Sequence, residues 1–225
     1  MEKTKEFFDA IRAGETATVR AILDVEPELA TAKNEQGQSP VLAAAYSGRS
    51  EIRDLLIARV IARGATLELH EAVAAGQFER VKQLVEKDSG LAKSYSPDGF
   101  PVFALAAAFG HFPVVRYLLE KGADVNAAAT NGTGYNGLTG AVTSGHQEIA
   151  AWLLEQGADP NYRYGPGYSP LLAAAANGRL EIVKALLAHG ADLHAKANDG
   201  KTALAIAEER KHPEVAALLR SCSAA

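Results

Sequence analysis

A single cysteine in 225 residues excludes an internal disulfide, and with it the small secreted scaffolds that depend on such cross-links. No apolar stretch is long enough for a bilayer. The longest, Val102 to Phe109, has eight residues, against about 20 for a spanning helix. Runs of lysine or arginine are absent and the net charge is −4, so neither a nucleic-acid backbone nor an anionic membrane is expected as the main partner. The opening MEKTKEFFDAIRAG lacks the apolar core of a secretory signal, which makes a reducing, cytoplasmic location the expectation. Cys222, in the terminal CSAA, gives only the outline of a prenylation box, because Ser223 is polar where an aliphatic residue is required. Signatures of catalysis are missing too: no G-x-S-x-G, H-E-x-x-H or P-loop occurs, and Ser47, Ser144 and Ser169 have no base fixed by spacing.

What is present is repetition. A hydrophobic share of 48% with 22% charged residues belongs to a folded chain. The segments SPVLAAAYSGRSEIRDLL (39–56), GLTGAVTSGHQEIAAWLL (137–154) and SPLLAAAANGRLEIVKALL (169–187) each read as a short small-residue helix, a glycine, and a Leu/Ile-rich helix. The marker glycines Gly14, Gly48, Gly76, Gly110, Gly145 and Gly178 are separated by 34, 28, 34, 35 and 33 residues, and Lys211 takes the seventh place another 33 on. A second glycine stands 11 residues earlier in Gly37/Gly48, Gly99/Gly110, Gly134/Gly145 and Gly167/Gly178, and Gly200/Lys211 continues the series. Alanines crowd the first helix (Ala43 to Ala45, Ala106 to Ala108, Ala173 to Ala176) and permit close approach of neighbouring repeats. Bulk sits on the second helix at helical spacing, as Ile52, Leu55 and Leu56, then Val114, Val115, Leu118 and Leu119, then Ile182, Val183, Leu186 and Leu187. Bulk on one row and methyls on the other are expected to bend the stack.

These repeats resemble the ankyrin repeat over nearly the whole chain, most closely in GHFPVVRYLLEKGADVNA (110–127), GHQEIAAWLLEQGADPN (145–161) and DGKTALAIAEERKHPEVAALL (199–219). The phrases EPELATAKN (26–34) and DGFPVFALAAAFGH (98–111) are similar to stand-alone bacterial members. The resemblance implies an all-α solenoid of about seven helix–turn–helix repeats with short projecting β-hairpin loops. One domain is expected over 1–225, with approximate repeats at 1–33, 34–64, 65–95, 96–130, 131–163, 164–196 and 197–225. The family's T-P-L-H tetrad survives in part as Ser39-Pro40-Val41-Leu42 and Ser169-Pro170-Leu171-Leu172, and its histidine is aligned with His70. Where the marker spacing drops to 28 no D-x-x-G phrase occurs, so the connection from Arg59 to Leu69 is expected to lack a hairpin and the helix before it to run on. Charged residues of the last repeat, Glu208, Glu209, Arg210 and Lys211, suit a polar closing face.

Two apparent signals for chemistry dissolve in this frame. Gly132, Gly134 and Gly137 spell G-x-G-x-x-G, but the preceding GADVNAAAT offers one large apolar residue, Val125, where a buried strand is required. The repeat register assigns Gly134 to a hairpin and Gly145 to a turn between helices, so no nucleotide is expected. His111 and His146 hold the same place in adjacent repeats, yet packed elements lie about 8–10 Å apart while zinc holds its nitrogens at roughly 2.1 Å. His189 and His194 lack an acidic or thiolate companion at motif spacing. No metal or other cofactor is expected. Asp124 and Asp159 recur in G-A-D and are expected to accept local backbone N–H groups, and Trp152 to pack in its helix.

Aromatics carry the functional expectation. Phe100, Tyr135 and Tyr168 follow hairpin glycines, Tyr46 and Phe109 end first helices, and Tyr95, Tyr162 and Tyr164 join them in the hairpins, with Arg163 beside them as a planar cation. In the family these positions face a partner, which implies a non-enzymatic scaffold for protein–protein interaction on the concave face of hairpins and first helices. The partner is expected to be another protein; a homo-oligomer whose own surface fills the groove is a further reading, though not indicated. Two alternatives stand: the rings pack on one another to stiffen long hairpins, or the same groove holds a small molecule or a catalytic pocket.

Overall fold

The computed structural model describes residues 2–165 and 167–223. The chain divides into two compact units, Met1–Asp98 and Gly99–Ala225. In the first lie α1 (Glu2–Ala13), α2 (Thr16–Val25), α3 (Pro40–Tyr46), α4 (Ser50–Ala62), α5 (Leu69–Ala74) and α6 (Phe78–Lys87), with 3-10 turns at Pro27–Thr31 and Ser89–Lys93. The second holds α7 (Val102–Ala108), α8 (Phe112–Glu120), α9 (Gly137–Ser144), α10 (Gln147–Glu155), α11 (Pro170–Ala176), α12 (Leu180–Ala188), α13 (Ala203–Glu209) and α14 (Pro213–Ser223). Seven helix pairs result among the described residues, as the marker glycines require. Strand content among the described residues is confined to isolated antiparallel bridges, Ala128 with Asn136, Tyr164 with Tyr168 and Lys196 with Thr202. Each of these hairpins is therefore pinned at one point.

First helices of seven or eight residues are too short to stand alone. Local chemistry starts them: Ser39 Oγ accepts from Leu42 N at 3.3 Å and Ser169 Oγ from Leu172 N at 3.4 Å, each followed by a proline at the first helical position. Asn136 and Thr139 form a reciprocal capping box for α9, and Glu68 and Glu71 one for α5. The cap at Glu68 corrects the alignment of the tetrad. Its fourth place falls to Glu71, buried at 7% exposure, and His70 occupies the third.

Packing then stabilises what the caps begin. In the second unit α7, α9, α11 and α13 pack in succession, as do α10, α12 and α14 behind them. Small residues set the spacing of the first row: a Cβ built on Gly140 would lie 3.0 Å from Ala108 Cβ and 3.3 Å from the Ala104 carbonyl. The second row buries Ile149, Leu153, Ile182, Leu186, Val215 and Leu219, each fully buried aliphatic contributing ~1.5–3 kcal/mol. In the first unit α1, α3 and α5 pack in order, and α4 extends for 13 residues against 10 for α2 and α6. A turn at Arg63-Gly64 and an open stretch lead from α4 to α5, and no bridge forms among residues 63–68, as the 28-residue spacing requires.

At four of the turns a side chain from the following repeat rests on the marker glycine of the one before, whereas a Cβ on Gly48 would meet nothing within 4 Å. Arg49 covers Gly14 and donates from Nε and Nη2 to the Arg12 carbonyl at 3.2 and 3.1 Å. His146 covers Gly110 and donates from Nε2 to Ala108 O at 3.0 Å, His212 covers Gly178 and donates to Ala176 O at 3.2 Å, and Arg179 covers Gly145. A carbonyl only accepts, so both rings carry their proton on Nε2. A second row runs along the hairpins. Asn126 Nδ2 donates to Gly157 O at 3.2 Å while its Oδ1 accepts from Asp159 N, and Asn161 repeats the arrangement with Gly190 O and Asp192 N. Asp124 and Asp159 accept the backbone N–H of Asn126 and Asn161, the local role expected of them.

Lys211 is the only non-glycine with positive φ among the described residues, at 61°, where the other repeats place glycine. A left-handed conformation costs a side-chain residue about 1–2 kcal/mol, partly offset by the greater unfolded-state entropy of glycine. Lys211→Gly is therefore expected to stabilise the chain by about 0.5–1 kcal/mol, read as a higher denaturation midpoint; an unchanged or lower midpoint would contradict the strain.

Candidate functional site

Hairpins and first helices of the second unit enclose a groove of about 310 Å³, lined by Tyr135, Thr143, Tyr164, Tyr168, Ala173, Ala176, Asn177 and Arg210. Its tyrosines are placed by the hairpin bonds. Ala129 N donates to Tyr135 O at 2.7 Å, and Tyr164 and Tyr168 exchange backbone bonds at 3.0 Å. Gly165 N donates to Thr133 O at 3.1 Å, tying this hairpin to the previous one. The sequence between these tyrosines needs glycine at 167, where φ is +77° and a Cβ would strike the Asn198 carboxamide.

The rings have different roles. Tyr164 is 7% exposed, and its ring lies 5.1 Å from that of Tyr135 at an interplanar angle of 55°. Burial pushes the Tyr164 phenol above the usual tyrosine range, and the neighbouring phenols of Tyr135 and Tyr168 add to the shift. It is a neutral hydroxyl at physiological pH. Tyr135 and Tyr168 are half-buried and open to the groove. Tyr162 is also half-buried, beside Gly134, while Arg163 is exposed and donates from Nη2 to the Lys196 carbonyl at 2.7 Å, joining two hairpins instead of lining the groove. Phe109 and Phe100 are half-buried; the ring of Phe109 stands 6.4 Å from that of His111. Tyr46 and Tyr95, at 37% and 42% exposure, belong to the first unit. The structure thus brings three of the nine sequence candidates into one groove.

Arg210 and Asn177 also line it, and neither is among the sequence candidates. The signal is available in the repeat register. Each lies one residue before its marker position, the place that Phe109 holds in an earlier repeat. Arg210 caps the C-terminus of α13, and Asn177 caps α11 while donating from Nδ2 to Ala173 O at 2.8 Å. Thr143 spends its hydroxyl proton on α9, with Thr139 O at 2.8 Å. Gly132 and Gly134 lie in the hairpin loop and Gly137 opens α9 against Phe103, with no strand run before them. Among the described residues no three His, Cys, Asp or Glu side chains converge as a metal site would require, and no helix is long and apolar enough to cross a membrane.

The first unit contains a depression of about 610 Å³ between α1 and the 33–38 loop, lined largely by long polar side chains such as Lys5, Arg12, Lys33 and Glu35. It also holds a polar cluster on Asp98, which accepts from Gln38 Nε2 at 2.9 Å, Ser96 Oγ at 2.5 Å and Tyr46 OH at 3.3 Å. Burial and then the Asp98 charge push the Tyr46 phenol up. These bonds tie one loop to the helix and loop of an earlier repeat. Near them His70 keeps Nε2 buried without a hydrogen-bond partner.

A model for ankyrin repeats (3 copies) matches residues 69–164, and one for ankyrin repeats (many copies) matches 153–207. Similar curated proteins are Alpha-latrocrustotoxin-Lt1a of Latrodectus tredecimguttatus, 35% identical over 48% of this chain and 8% of its own, and Ankyrin repeat and SAM domain-containing protein 6 of Rattus norvegicus, 30% identical over 58% and 12%. DNA-binding protein RFXANK of Homo sapiens is 34% identical over 28% of this chain and 25% of its own. The chain thus spans a quarter or less of each relative's length.

Loss of water around His70 lowers its pKa below the ordinary value; Glu68 and Asp98 oppose the shift and Lys33 adds to it. Unfolded, the ring binds a proton near pH 6.5 that the folded state does not. The stability that comes from a neutral His70 is complete above that pH and lost as pH falls through it toward the folded value. The melting temperature is expected to fall more between pH 7 and pH 5 for the wild type than for His70→Gln; equal slopes would mean that the ring charges freely in the fold.

Proposed function

The chain belongs to the ankyrin-repeat family, and from that premise we propose that it is a non-enzymatic scaffold that holds an extended segment of another protein in the tyrosine groove of its second unit. Ankyrin repeats are in general modules for protein–protein interaction. The observation that carries the reading is the division of labour among the rings: Tyr164 is buried and fixes Tyr135, which leaves Tyr135 and Tyr168 as preorganised, half-exposed anchors. Rigid aromatic anchors offer large contact area at low entropic cost. Support for a reducing cytoplasmic setting comes from the single cysteine, which is exposed and unpaired.

Truncating one buried hot-spot tyrosine commonly costs an interface at least about 2 kcal/mol, or roughly thirtyfold in affinity. Tyr135→Ala combined with Tyr168→Ala is expected to abolish affinity capture of the partner from a lysate of the source organism. Folded stability should fall only by the lost Tyr135–Tyr164 contact, about 0.5–1.5 kcal/mol. Normal capture by the double variant would place the recognition surface elsewhere; collapse of the helical spectrum would make the rings structural.

A further inference from the structure

We infer that the segment held in the tyrosine groove presents a carboxylate, an Asp or Glu side chain, to Arg210. The inference rests on the reading of the groove as a protein-binding site and adds the chemistry of the partner. Arg210 is the only charged side chain lining the groove, and it makes no ion pair or hydrogen bond through its guanidinium among the described residues. Its neighbours in sequence are already committed: Glu209 pairs with Lys201 at 2.7 Å and Glu208 with Arg220 at 2.5 Å. The phenols of Tyr135, Tyr164 and Tyr168 likewise find no acceptor among the described residues, and each phenolic O–H can donate. The groove therefore gathers one cation and three hydroxyl donors with no anion to satisfy them.

That imbalance discriminates among partners. A neutral segment covering the groove would bury an unpaired guanidinium, and a basic one would add repulsion to the same loss. A carboxylate instead receives the planar fork of Arg210 and tyrosine hydroxyls beside it. Helix C-termini work against an anion, and α9, α11 and α13 all end near this side. A turn amide, however, occupies one carbonyl in the last turn of each: Gly145 N bonds Val142 O, Gly178 N bonds Ala175 O, and Lys211 N bonds Glu208 O. Direct contact with Arg210 thus decides the sign. A single arginine matches a carboxylate; phosphorylated side chains are ordinarily met by clusters of arginines.

The test is a displayed library of random 12-residue peptides selected on the full chain, followed by synthesis of the tightest binder. Selected peptides are expected to share an Asp or Glu at one aligned position. Replacing that acid by its amide should weaken binding at least tenfold, and on the Arg210→Glu chain the peptide carrying Lys there should bind more tightly than the original. Arg210→Gln, which retains length and polarity, should lose the preference for acid over amide while its melting curve stays at the wild-type position. Absence of an aligned acid, or a Kd changed less than twofold by both Arg210 substitutions, overturns the inference. In that event the protein-binding reading survives if Tyr135→Ala with Tyr168→Ala still abolishes peptide binding. A phosphoserine at the same place that binds more than tenfold tighter than the acid would overturn the assignment of a carboxylate. Failure to select any peptide would count against both readings.

Discussion

The packing of successive repeats depends on the absence of a Cβ at four of the turns between paired helices, Gly14, Gly110, Gly145 and Gly178. At Gly110 φ is +81°, and a Cβ there would lie 2.5 Å from the His146 ring. The missing methyl performs two functions. It admits the left-handed turn that reverses the chain, and it leaves room for a side chain of the following repeat to reach the last carbonyls of the helix before it. The same contact recurs as Arg49 on Gly14 in the first unit and as Arg179 on Gly145 and His212 on Gly178 in the second. Chemically the covering residue varies between guanidinium and imidazole, both planar donors, and Arg49, His146 and His212 donate to a backbone carbonyl at the end of the helix before.

The groove follows from that arrangement. His212 on Ala176 O holds the end of α11, from which Asn177 lines the site, and Arg179 over Gly145 packs on the end of α9, from which Thr143 lines it. On the other side the asparagine ladder of Asn126 and Asn161 fixes the hairpins, and the bridge between Tyr164 and Tyr168 turns the phenols toward those helix ends. Under the proposed protein-binding role, affinity would come from preorganisation more than from area, because Tyr164 packs against Tyr135 without a partner present.

Much of this is legible in the sequence because the repeat is written in glycine. The marker spacing yields seven helix pairs, the 28-residue interval yields the junction without a hairpin, and the register exposes the coincidence of Gly132, Gly134 and Gly137. The site is less legible. A tyrosine one residue before a helix cap and another inside a hairpin look alike in the chain, yet Tyr135 is half-buried while Tyr164, which also lines the groove, is only 7% exposed, a difference set by how consecutive hairpins stack. Arg210 reads as part of a polar closing face when its charge is weighed before its register. The tetrad's histidine is misplaced by one when His70 is matched by residue type, whereas the capping box that fixes the helix start involves Glu68 and Glu71.

The direct test of the stitched turn is a double-mutant cycle between Gly110→Ala and His146→Ala, with unfolding free energies measured by denaturant. Alone, Gly110→Ala meets both the backbone strain of positive φ and the imidazole; with His146 already truncated, only the strain of about 1–2 kcal/mol remains. The expected result is a coupling of at least about 0.5 kcal/mol, with Gly110→Ala costing less in the His146→Ala background. Additive costs within about 0.3 kcal/mol would mean that the glycine serves its own turn alone and that the repeats are not stitched through it.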